Sequence, residues 1–370
     1  QTNFCRAADY ATAPQKRLAQ RRGGTPDQRF IPIIRGTLVA AILTDHLSST
    51  ASSPLSLIAE DMREVDIVIG QRLTSTVPLV GQVAQYIIAA GGKRLRPALL
   101  LMVCGALNYQ GSHRHTLAAV VELIHTATLL HDDVVDASTL RRGRATANET
   151  FGNPASVLVG DFLHTRSFQM MVETGSMRVM EILSEATNII AEGEVLQLMN
   201  MHDASLSEAD YLKVIRSKTA KLFEASARLG AVLANSPPAI EDACATYGQA
   251  LGTAFQIIDD VLDYAGNAVE MGKNLGDDLR EGKATLPLIA AMERGTPQQA
   301  AVIRSAIEQG STEELAKIIE IVQQTGALEI ARSAATQEAN RAIDAIRLLP
   351  ATEFAAAMRV LANQLTDRRT

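Results

Sequence analysis

The chain has 370 residues, of which 47% are hydrophobic and 21% are charged, a composition typical of a folded protein with a sizeable core. A net charge of −6 and an aromatic content of 4% argue against nucleic-acid binding, which needs a basic face and stacking platforms. No apolar run reaches the roughly 18 residues of a membrane span. Three cysteines far apart indicate neither a disulfide framework nor a zinc site.

The first 54 residues differ from the rest of the chain. They are basic and end in the low-complexity stretch "SSTASSP", and helical periodicity begins only near Leu55. We predict a disordered extension over residues 1–54 and one domain over residues 55–370. An Arg-rich, Ser/Thr-rich start also resembles an organellar transit peptide. A cytoplasmic location is therefore predicted, with an organellar location as the alternative.

Helical spacing continues from Leu55 almost to the end of the chain. The segment "SLIAEDMREVDIVIGQRL" carries apolar residues at helical intervals, with charged residues between them. The segment "AAVVELIHTATLLHDD" is apolar almost all round, as expected of a helix buried inside a bundle. Alternating β-branched runs bounded by turns are missing, so no strand is predicted. The pattern predicts one all-α domain, built round a central helical bundle.

Two acidic clusters with the spacing DDxxD each close a strongly apolar helix. The clusters consist of Asp132, Asp133 and Asp136, and of Asp259, Asp260 and Asp263. On a helix, positions i, i+1 and i+4 fall within an arc of ~100°, so the carboxylates of each cluster repel one another. Mg²⁺ removes such a penalty and is typically held by one or two carboxylates plus phosphate oxygens. One cluster alone is equally well explained as an acidic helix end, but two predict a polyanion bridged by several Mg²⁺ ions.

Clustered basic residues support an anionic substrate. The segments "GGKRLRP" and "LRRGRAT" supply Lys93, Arg94, Arg96, Arg141 and Arg142. Arginine forks match phosphate oxygens, and lysine adds a point charge. Each segment alone would be a solvated loop, but beside two acidic clusters they predict a second phosphate site. The Gly-rich loop with Lys273 and Lys283 is expected to cover charged substrate, with a plain surface loop as the alternative.

In combination, "GGKRLRP", "HDDVVDASTLRRGRATAN", "GDFLHTRSF", "SKTAKLFEAS" and "FQIIDDVLDY…GKNLGDDLREGKATLPLI" resemble the trans-isoprenyl diphosphate synthase family from about Leu55 onward. The similarity is greatest to its long-chain bacterial branch of octaprenyl and solanesyl diphosphate synthases. It implies a single-domain isoprenoid-synthase-type bundle with a central active-site cavity, and a homodimer. It also implies a prenyltransferase that adds isopentenyl diphosphate to an allylic primer, farnesyl or geranyl diphosphate. The long all-trans product would form the tail of a respiratory quinone such as ubiquinone.

The resemblance also implies roles for individual residues. All six aspartates would bind Mg²⁺, three ions per site with substrate bound, and Asp132, Asp136 and Asp259 would be the principal direct ligands. The allylic diphosphate is assigned to Arg141, Lys218, Gln256 and Lys273, and isopentenyl diphosphate to Lys93, Arg96, His125 and Arg142. Arg94 and Lys283 are further expected to bind substrate. Thr219 and Gln256 would offer oxygen dipoles to the carbocation without reacting. A core position is the alternative for His125.

Helix geometry bears on product length. Thr128 lies four residues before Asp132, hence on the same face one turn deeper, and Ala127 is beside it. Short-chain members of the family carry bulky aromatic residues there, so small residues predict a longer product of eight, nine or ten units. The alternatives are a class I terpene cyclase, a non-catalytic subunit of a heteromeric synthase, and a helical protein that binds metal only for stability. The second DDxxD and "GGKRLRP" argue against a terpene cyclase. The six retained aspartates argue against a non-catalytic subunit, and the clustered Lys and Arg residues argue against a protein that binds metal only for stability.

Overall fold

The computed structural model describes residues 53–265 and 276–367. The predicted N-terminal extension, apart from its last two residues, lies outside the described residues, as does Lys273. The first described element is a 3-10 turn, Pro54–Ile58, which buries Pro54 and Ile58. The prediction of a domain boundary at residue 55 therefore stays a prediction.

The described residues form α-helices joined by short connections. They are α1 (Ala59–Arg72), α2 (Pro78–Ala89), α3 (Leu95–Ala106), α4 (His113–Val135), α5 (Ala147–Phe151), α6 (Asn153–Glu173), α7 (Met177–Asn200), α8 (Glu208–Ile215), α9 (Lys221–Leu233), α10 (Pro238–Ala265), α11 (Asp277–Arg280), α12 (Leu286–Arg294), α13 (Pro297–Gln309), α14 (Leu315–Gln324), α15 (Ala327–Ala345) and α16 (Glu353–Thr366). A π-helical turn, Arg216–Ala220, separates α8 from α9, and a second 3-10 turn spans Ile346–Leu348. The all-α fold is confirmed. Within the described ranges, no helix has the length and apolar character needed to span a membrane.

The two helices that end in acidic clusters are largely buried. α4 packs against α1, α3, α6 and α9, and its buried residues extend from Leu117 to Asp133. α10 packs chiefly against α9 and α15 and is buried from Ala243 to Tyr264. Because α9 contacts both α4 and α10, it connects the two helices structurally. The acidic clusters are thus held by one continuous core.

Close backbone approach brings α7 and α10 onto the π turn. A Cβ atom added at Gly248 of α10 would stand 2.3 Å from the carbonyl oxygen of Phe223, which is backbone that cannot move aside easily. The corresponding distance is 2.7 Å from Gly252 to Cα of Ala220, and 2.8 Å from Gly193 of α7 to the amide nitrogen of Lys218. Only glycine allows helices to pack this closely here.

A short β-ribbon corrects the prediction that strands are absent. Leu140–Arg141 pairs antiparallel with Arg144–Ala145 just after α4. Arg142 and Gly143 form the two-residue connection and have φ values of 52° and 72°, the positive φ that the favoured hairpin turns require. Strands of two residues are too short to show the period of two, which is why the sequence pattern did not indicate them.

We expect Gly248→Ala to lower the free energy of unfolding by about 1–3 kcal/mol, because the added methyl group overpacks the α9–α10 contact. Gly70→Ala in α1 is the matched control, since no atom lies within 4 Å of a Cβ added there. This control should gain about 0.5–1 kcal/mol from its lower unfolded-state entropy. Urea unfolding measures both variants, and equal stability of the two would contradict the close approach.

Candidate active site

The first acidic cluster occupies the C-terminal end of α4, where Asp136 is the C-cap residue. Asp133 is 0% exposed and accepts hydrogen bonds from Arg141 Nη2 at 2.7 Å and from Nε at 3.0 Å. The β-ribbon turns the chain back so that Arg141 reaches this carboxylate. Asp132 and Asp136 retain 18% and 13% side-chain exposure. Arg141 therefore neutralises one aspartate internally, while the other two remain accessible.

Two lysines face the accessible aspartates. Lys218 Nζ lies 3.9 Å from Asp132 Oδ2, and Lys283 Nζ lies 3.7 Å from Asp136 Oδ2. Glu194 holds Lys218 with an Nζ–Oε2 distance of 2.5 Å, and Glu281 forms an ion pair with Lys283. Each lysine is thus held by a glutamate. It lies close to an aspartate but does not form a hydrogen bond with it.

The electrostatics of this cluster favour binding of a cation. Burial raises the pKa of Asp132 to about 6, against the opposing charge of Lys218, and the carboxylates of Glu194 and Asp136 raise it further. A raised pKa means that the surroundings disfavour the charged carboxylate. A metal cation next to Asp132 would relieve that penalty.

The second cluster on α10 is built in the same way. Asp260 is buried and accepts hydrogen bonds from the Tyr211 hydroxyl at 2.6 Å and from Gln256 Nε2 at 2.8 Å. Burial, reinforced by the charge of Asp278, raises the pKa of Asp260 to about 8. Asp263 is also buried and accepts from the backbone amide of Asp278 at 3.4 Å. Asp259 is half-buried and is the most accessible member of this cluster.

The π turn joins the two clusters. Its Lys218 faces Asp132, and the hydroxyl of its Thr219 donates to Gln256 Oε1 at 3.0 Å. Gln256 in turn donates to Asp260. The extra residue of a π turn changes the direction of neighbouring side chains, and such turns occur frequently at functional sites. The sequence motif "SKTAKLF" contains both residues, but its helical periodicity does not reveal a π turn.

Basic residues surround Glu122, a buried side chain that sequence reasoning missed. Glu122 Oε1 lies 3.9 Å from Arg94 Nε, and its Oε2 is buried without a hydrogen bond. Burial raises the pKa of Glu122, while the charges of Arg94, Arg96 and Arg142 oppose this shift. The signal in the sequence was a glutamate on a helix that is apolar all round, three residues before His125.

Arg96 and His125 are desolvated members of this basic group. Arg96 lies with its guanidinium carbon 4.5 Å from the centre of the Phe223 ring, and its buried Nε makes no hydrogen bond. Burial lowers the pKa of Arg96 to about 10. Burial and the charges of Arg96, Arg141 and Arg142 hold the pKa of His125 well below its ordinary value, so the imidazole is neutral. Both side chains carry N–H groups that can donate hydrogen bonds to an anion.

Other predicted residues have different surroundings. Arg94 adopts a left-handed conformation, with φ of 45°, and forms an ion pair with Asp66, so its guanidinium is already engaged. Lys93 is exposed. Ala127 is 1% exposed within the core, and the hydroxyl of Thr128 donates to the carbonyl oxygen of His125 at 2.8 Å.

The donor set suits a metal ion that is shared with a ligand. In the described part of the chain, no three His, Cys, Asp or Glu side chains are arranged to hold a metal ion by themselves. The accessible carboxylates Asp132, Asp136 and Asp259 are hard oxygen donors distributed over two helices. Mg²⁺ commonly takes one or two carboxylates and completes its shell with phosphate oxygens and water. These residues therefore fit ions that bridge the protein to a phosphorylated substrate.

Fold and site define an all-α protein whose two acidic helix ends and basic residues suit a metal-bound anionic substrate. The family model for polyprenyl synthetase matches residues 77–324. The chain belongs to this family and is a prenyltransferase, as the motifs indicated.

Long-chain synthases are among its relatives. The chain is 52% identical over 313 residues to octaprenyl diphosphate synthase of Escherichia coli strain K12, covering 84% of this chain and 97% of the relative. It is 45% identical over 317 residues to a geranyl-diphosphate-specific all-trans-nonaprenyl-diphosphate synthase of Rhodobacter capsulatus, covering 85% and 97%. A polyprenyl synthase from Caulobacter crescentus CB15, solved with calcium and isoprenyl diphosphate, superposes with a TM-score of 0.83 at 46% identity, covering 86% and 97%. These relatives confirm the predicted activity class, synthesis of a long-chain polyprenyl diphosphate.

Neighbouring aspartates should respond differently to the same substitution. Asp133→Asn leaves Arg141 without its charged partner at a buried position, and we expect the free energy of unfolding to fall by about 3 kcal/mol. The raised pKa of Asp132, about 6, means that the fold disfavours the charged carboxylate, which is the form present at pH 8. Asp132→Asn removes this charge, so at pH 8 the metal-free variant should be at least as stable as wild type. Urea unfolding without metal measures both, and equal losses would contradict the assignment.

Proposed function

We propose that the chain elongates an allylic diphosphate with isopentenyl diphosphate to an all-trans product of eight or nine isoprene units, the octaprenyl or solanesyl chain of a respiratory quinone. The observation that carries this proposal is the pairing of an accessible aspartate with a lysine at two places, Asp132 with Lys218 at 3.9 Å and Asp136 with Lys283 at 3.7 Å. In each pair the aspartate would bind a metal ion, and the lysine would bind an oxygen of the diphosphate.

The allylic diphosphate would lie between the acidic clusters. Lys218 and Lys283 would contact its oxygens directly, and Gln256 would bind from the second cluster. Arg141 would add a guanidinium edge, although its fork already holds Asp133. Lys273 is proposed as a further contact from the motif alone, because it lies outside the described residues.

Mg²⁺ is the proposed metal, with three ions per site, bound by Asp132, Asp136 and Asp259 and supported by Asp133, Asp260 and Asp263. When bound, it would offset the negative charge that develops on the departing diphosphate. Of these residues, Asp133 and Asp260 are fully engaged by protein donors. We therefore assign to them the orientation of the helix ends rather than direct ligation.

Isopentenyl diphosphate would bind at the basic group around Glu122. Arg96 supplies positive charge in a desolvated setting, and Arg142 adds an exposed guanidinium. Neutral His125 would donate a hydrogen bond, and Lys93 would reach in from the exposed loop. Arg94 would act mainly by anchoring this loop, since Asp66 already binds its guanidinium. The buried, unpaired Nε of Arg96 supports an anionic ligand here.

The residues around the reacting carbons suit a carbocation. As the allylic C–O bond breaks, its electron pair leaves with the diphosphate, and Lys218 and Lys283 stabilise the growing negative charge. Thr219 and Gln256 present oxygen dipoles that do not attack the cation. The double bond of isopentenyl diphosphate then forms the new C–C bond, and the departing diphosphate accepts the released proton. No protein side chain is needed as the base.

The surface of the molecule also supports a homodimer. Large apolar side chains are exposed along α6 and α7, among them Leu158 and Val172 on α6 and Met177, Val195 and Met199 on α7. An exposed apolar face of this kind is typical of a protein–protein interface. We propose that these helices meet their counterparts in a second copy of the chain.

The remaining proposals concern domain organisation and location. We propose a synthase domain over residues 55–370 preceded by an extension over residues 1–54, and a cytoplasmic location. The family match begins at residue 77, which agrees with a domain that starts after the extension.

Incubation with farnesyl or geranyl diphosphate, labelled isopentenyl diphosphate and Mg²⁺ should give a ladder of products that ends at eight or nine isoprene units. Chromatography of the dephosphorylated products measures their length. Chelation of the metal should abolish elongation. Absence of elongation from every allylic primer would instead favour a subunit that needs a catalytic partner.

Product length should respond to bulk near the first cluster. Ala127→Phe and Thr128→Phe are expected to shorten the longest product, because the aromatic ring would stand one turn below the substrate-binding aspartates. Leu129→Phe, one residue further along α4, is the control and should retain the long product. Ala127 is buried, so the substitution is expected to cost about 1–3 kcal/mol through overpacking, and thermal unfolding verifies that it folds. Unchanged products from both variants would refute a tunnel at this position.

A further inference from the structure

A set of polar side chains connects the two ends of the π turn. It consists of Arg216, Glu338, Arg341, Gln249, Glu224 and Lys221, called here the polar ring. Arg216 is the first residue of the π turn, and Lys221 directly follows its last residue. The other members belong to α9, α10 and α15.

The first half of the polar ring is charged, and it pairs two partly exposed arginines, Arg216 at 41% and Arg341 at 39% side-chain exposure, with one shielded glutamate. Arg216 Nη2 donates to Glu338 Oε1 at 2.8 Å, and Arg341 Nε donates to Glu338 Oε2 at 2.7 Å. The side chain of Glu338 is only 12% exposed. Hydrogen bonds between charged groups in such a setting are stronger and less screened than surface pairs. Glu338 therefore ties the start of the π turn to α15.

The second half continues to the other end of the π turn. Arg341 Nη2 donates to Gln249 Oε1 at 3.1 Å, and Gln249 Nε2 donates to Glu224 Oε2 at 3.3 Å. Lys221 Nζ then donates to Glu224 Oε1 at 2.8 Å. The backbone of the π turn closes the circuit, so both ends of the turn are fixed to the same pair of helices, α10 and α15.

Close packing also holds the π turn. Gly193 of α7 and Gly252 of α10 approach the backbone of Lys218 and Ala220 within distances that no larger residue permits. Lys218 and Thr219 lie in the sequence between Arg216 and Lys221, the two ends that the polar ring holds. An extra residue in a helical turn has no intrinsic advantage, so its position depends on the surrounding contacts. The polar ring is the polar part of that support.

We infer that Glu338 and Gln249 are positioning residues that set the place of the Lys218 ammonium group and the Thr219 hydroxyl group through the π turn. This inference rests on the proposed role of Lys218 at the allylic diphosphate. The isopentenyl diphosphate residues lie on α3 and the loop before it, on α4 and on the β-ribbon, none of which contributes to the polar ring. Their one contact next to the ring is Arg96 on Phe223, the neighbour of Glu224 on α9. Loss of the ring should therefore affect the allylic diphosphate more than isopentenyl diphosphate.

Glu338→Gln tests the charged half of the ring with an isosteric side chain. We expect the KM for the allylic diphosphate to rise and the single-turnover rate of the first condensation to fall, together by about tenfold to a hundredfold, the scale for a displacement of about 1 Å. The KM for isopentenyl diphosphate should change by a clearly smaller factor. Asp344→Asn is the matched control, since Asp344 forms an exposed i,i+3 pair with Arg347 near the end of the same helix.

Gln249→Met tests the uncharged step of the ring independently and should reproduce the same selective effect. Hydrogen exchange of the backbone amides of residues 216–221 provides a readout that needs no catalysis. These amides should exchange faster in both variants than in wild type and in Asp344→Asn.

Unchanged kinetics and exchange in Glu338→Gln and Gln249→Met would overturn the inference. An equal rise of both KM values together with a lower Tm would also overturn it, because it would indicate general destabilisation. Failure of wild-type protein to elongate any allylic primer would instead contradict the proposed function, and the exchange measurement would still decide whether the polar ring holds the π turn.

Discussion

The structure depends on the repulsion between carboxylates that are crowded at the ends of two buried helices. The protein resolves part of it internally, because Arg141 binds Asp133 and two hydrogen-bond donors, Tyr211 and Gln256, bind Asp260. The protein leaves the repulsion at Asp132 and Asp136 unrelieved, and these are the carboxylates that we propose as metal ligands. Burial raises the pKa of Asp132 to about 6, so a bound cation stabilises this region. The proposed metal and substrate affinity would thus arise from a charge imbalance that the fold maintains.

The π turn between α8 and α9 makes the two acidic clusters one site. α4 and α10 each pack against α9, and the turn that precedes α9 presents Lys218 to one cluster and Thr219 to the other. Glycines on α7 and α10 allow the neighbouring helices to reach its backbone. A small irregularity in one helix therefore couples two motifs that are more than a hundred residues apart in sequence.

The basic group around Glu122 also carries unbalanced charge, but here the excess charge is positive. Arg94, Arg96 and Arg142 are accompanied by two acidic side chains, Asp66, which pairs with Arg94, and the buried Glu122, so the group carries an excess of positive charge. Burial, together with the charges of Arg96, Arg141 and Arg142, keeps His125 neutral, which makes the imidazole a hydrogen-bond donor without adding repulsion. The site with excess negative charge lies at the C-terminal end of α4, around Asp132 and Asp136, and suits a metal-bound diphosphate. The site with excess positive charge lies further towards the N-terminus of the same helix, around Glu122, and suits a second diphosphate that the protein binds directly.

The sequence by itself determined the helical class, the two acidic clusters, the basic segments and the family, because these depend on periodicity and on short motifs. It also identified Asp132, Asp136 and Lys283, which the structure brings together. The family resemblance singled out Asp132, Asp136 and Asp259 as direct ligands, but the spacing itself did not show that Asp133 and Asp260 meet buried donors, since equal spacing on a helix carries no information about partners. Glu122, Tyr211, the π turn and the β-ribbon were decided only by the tertiary structure. Each depends on partners distant in sequence or on a local backbone change too short to alter the hydrophobic pattern.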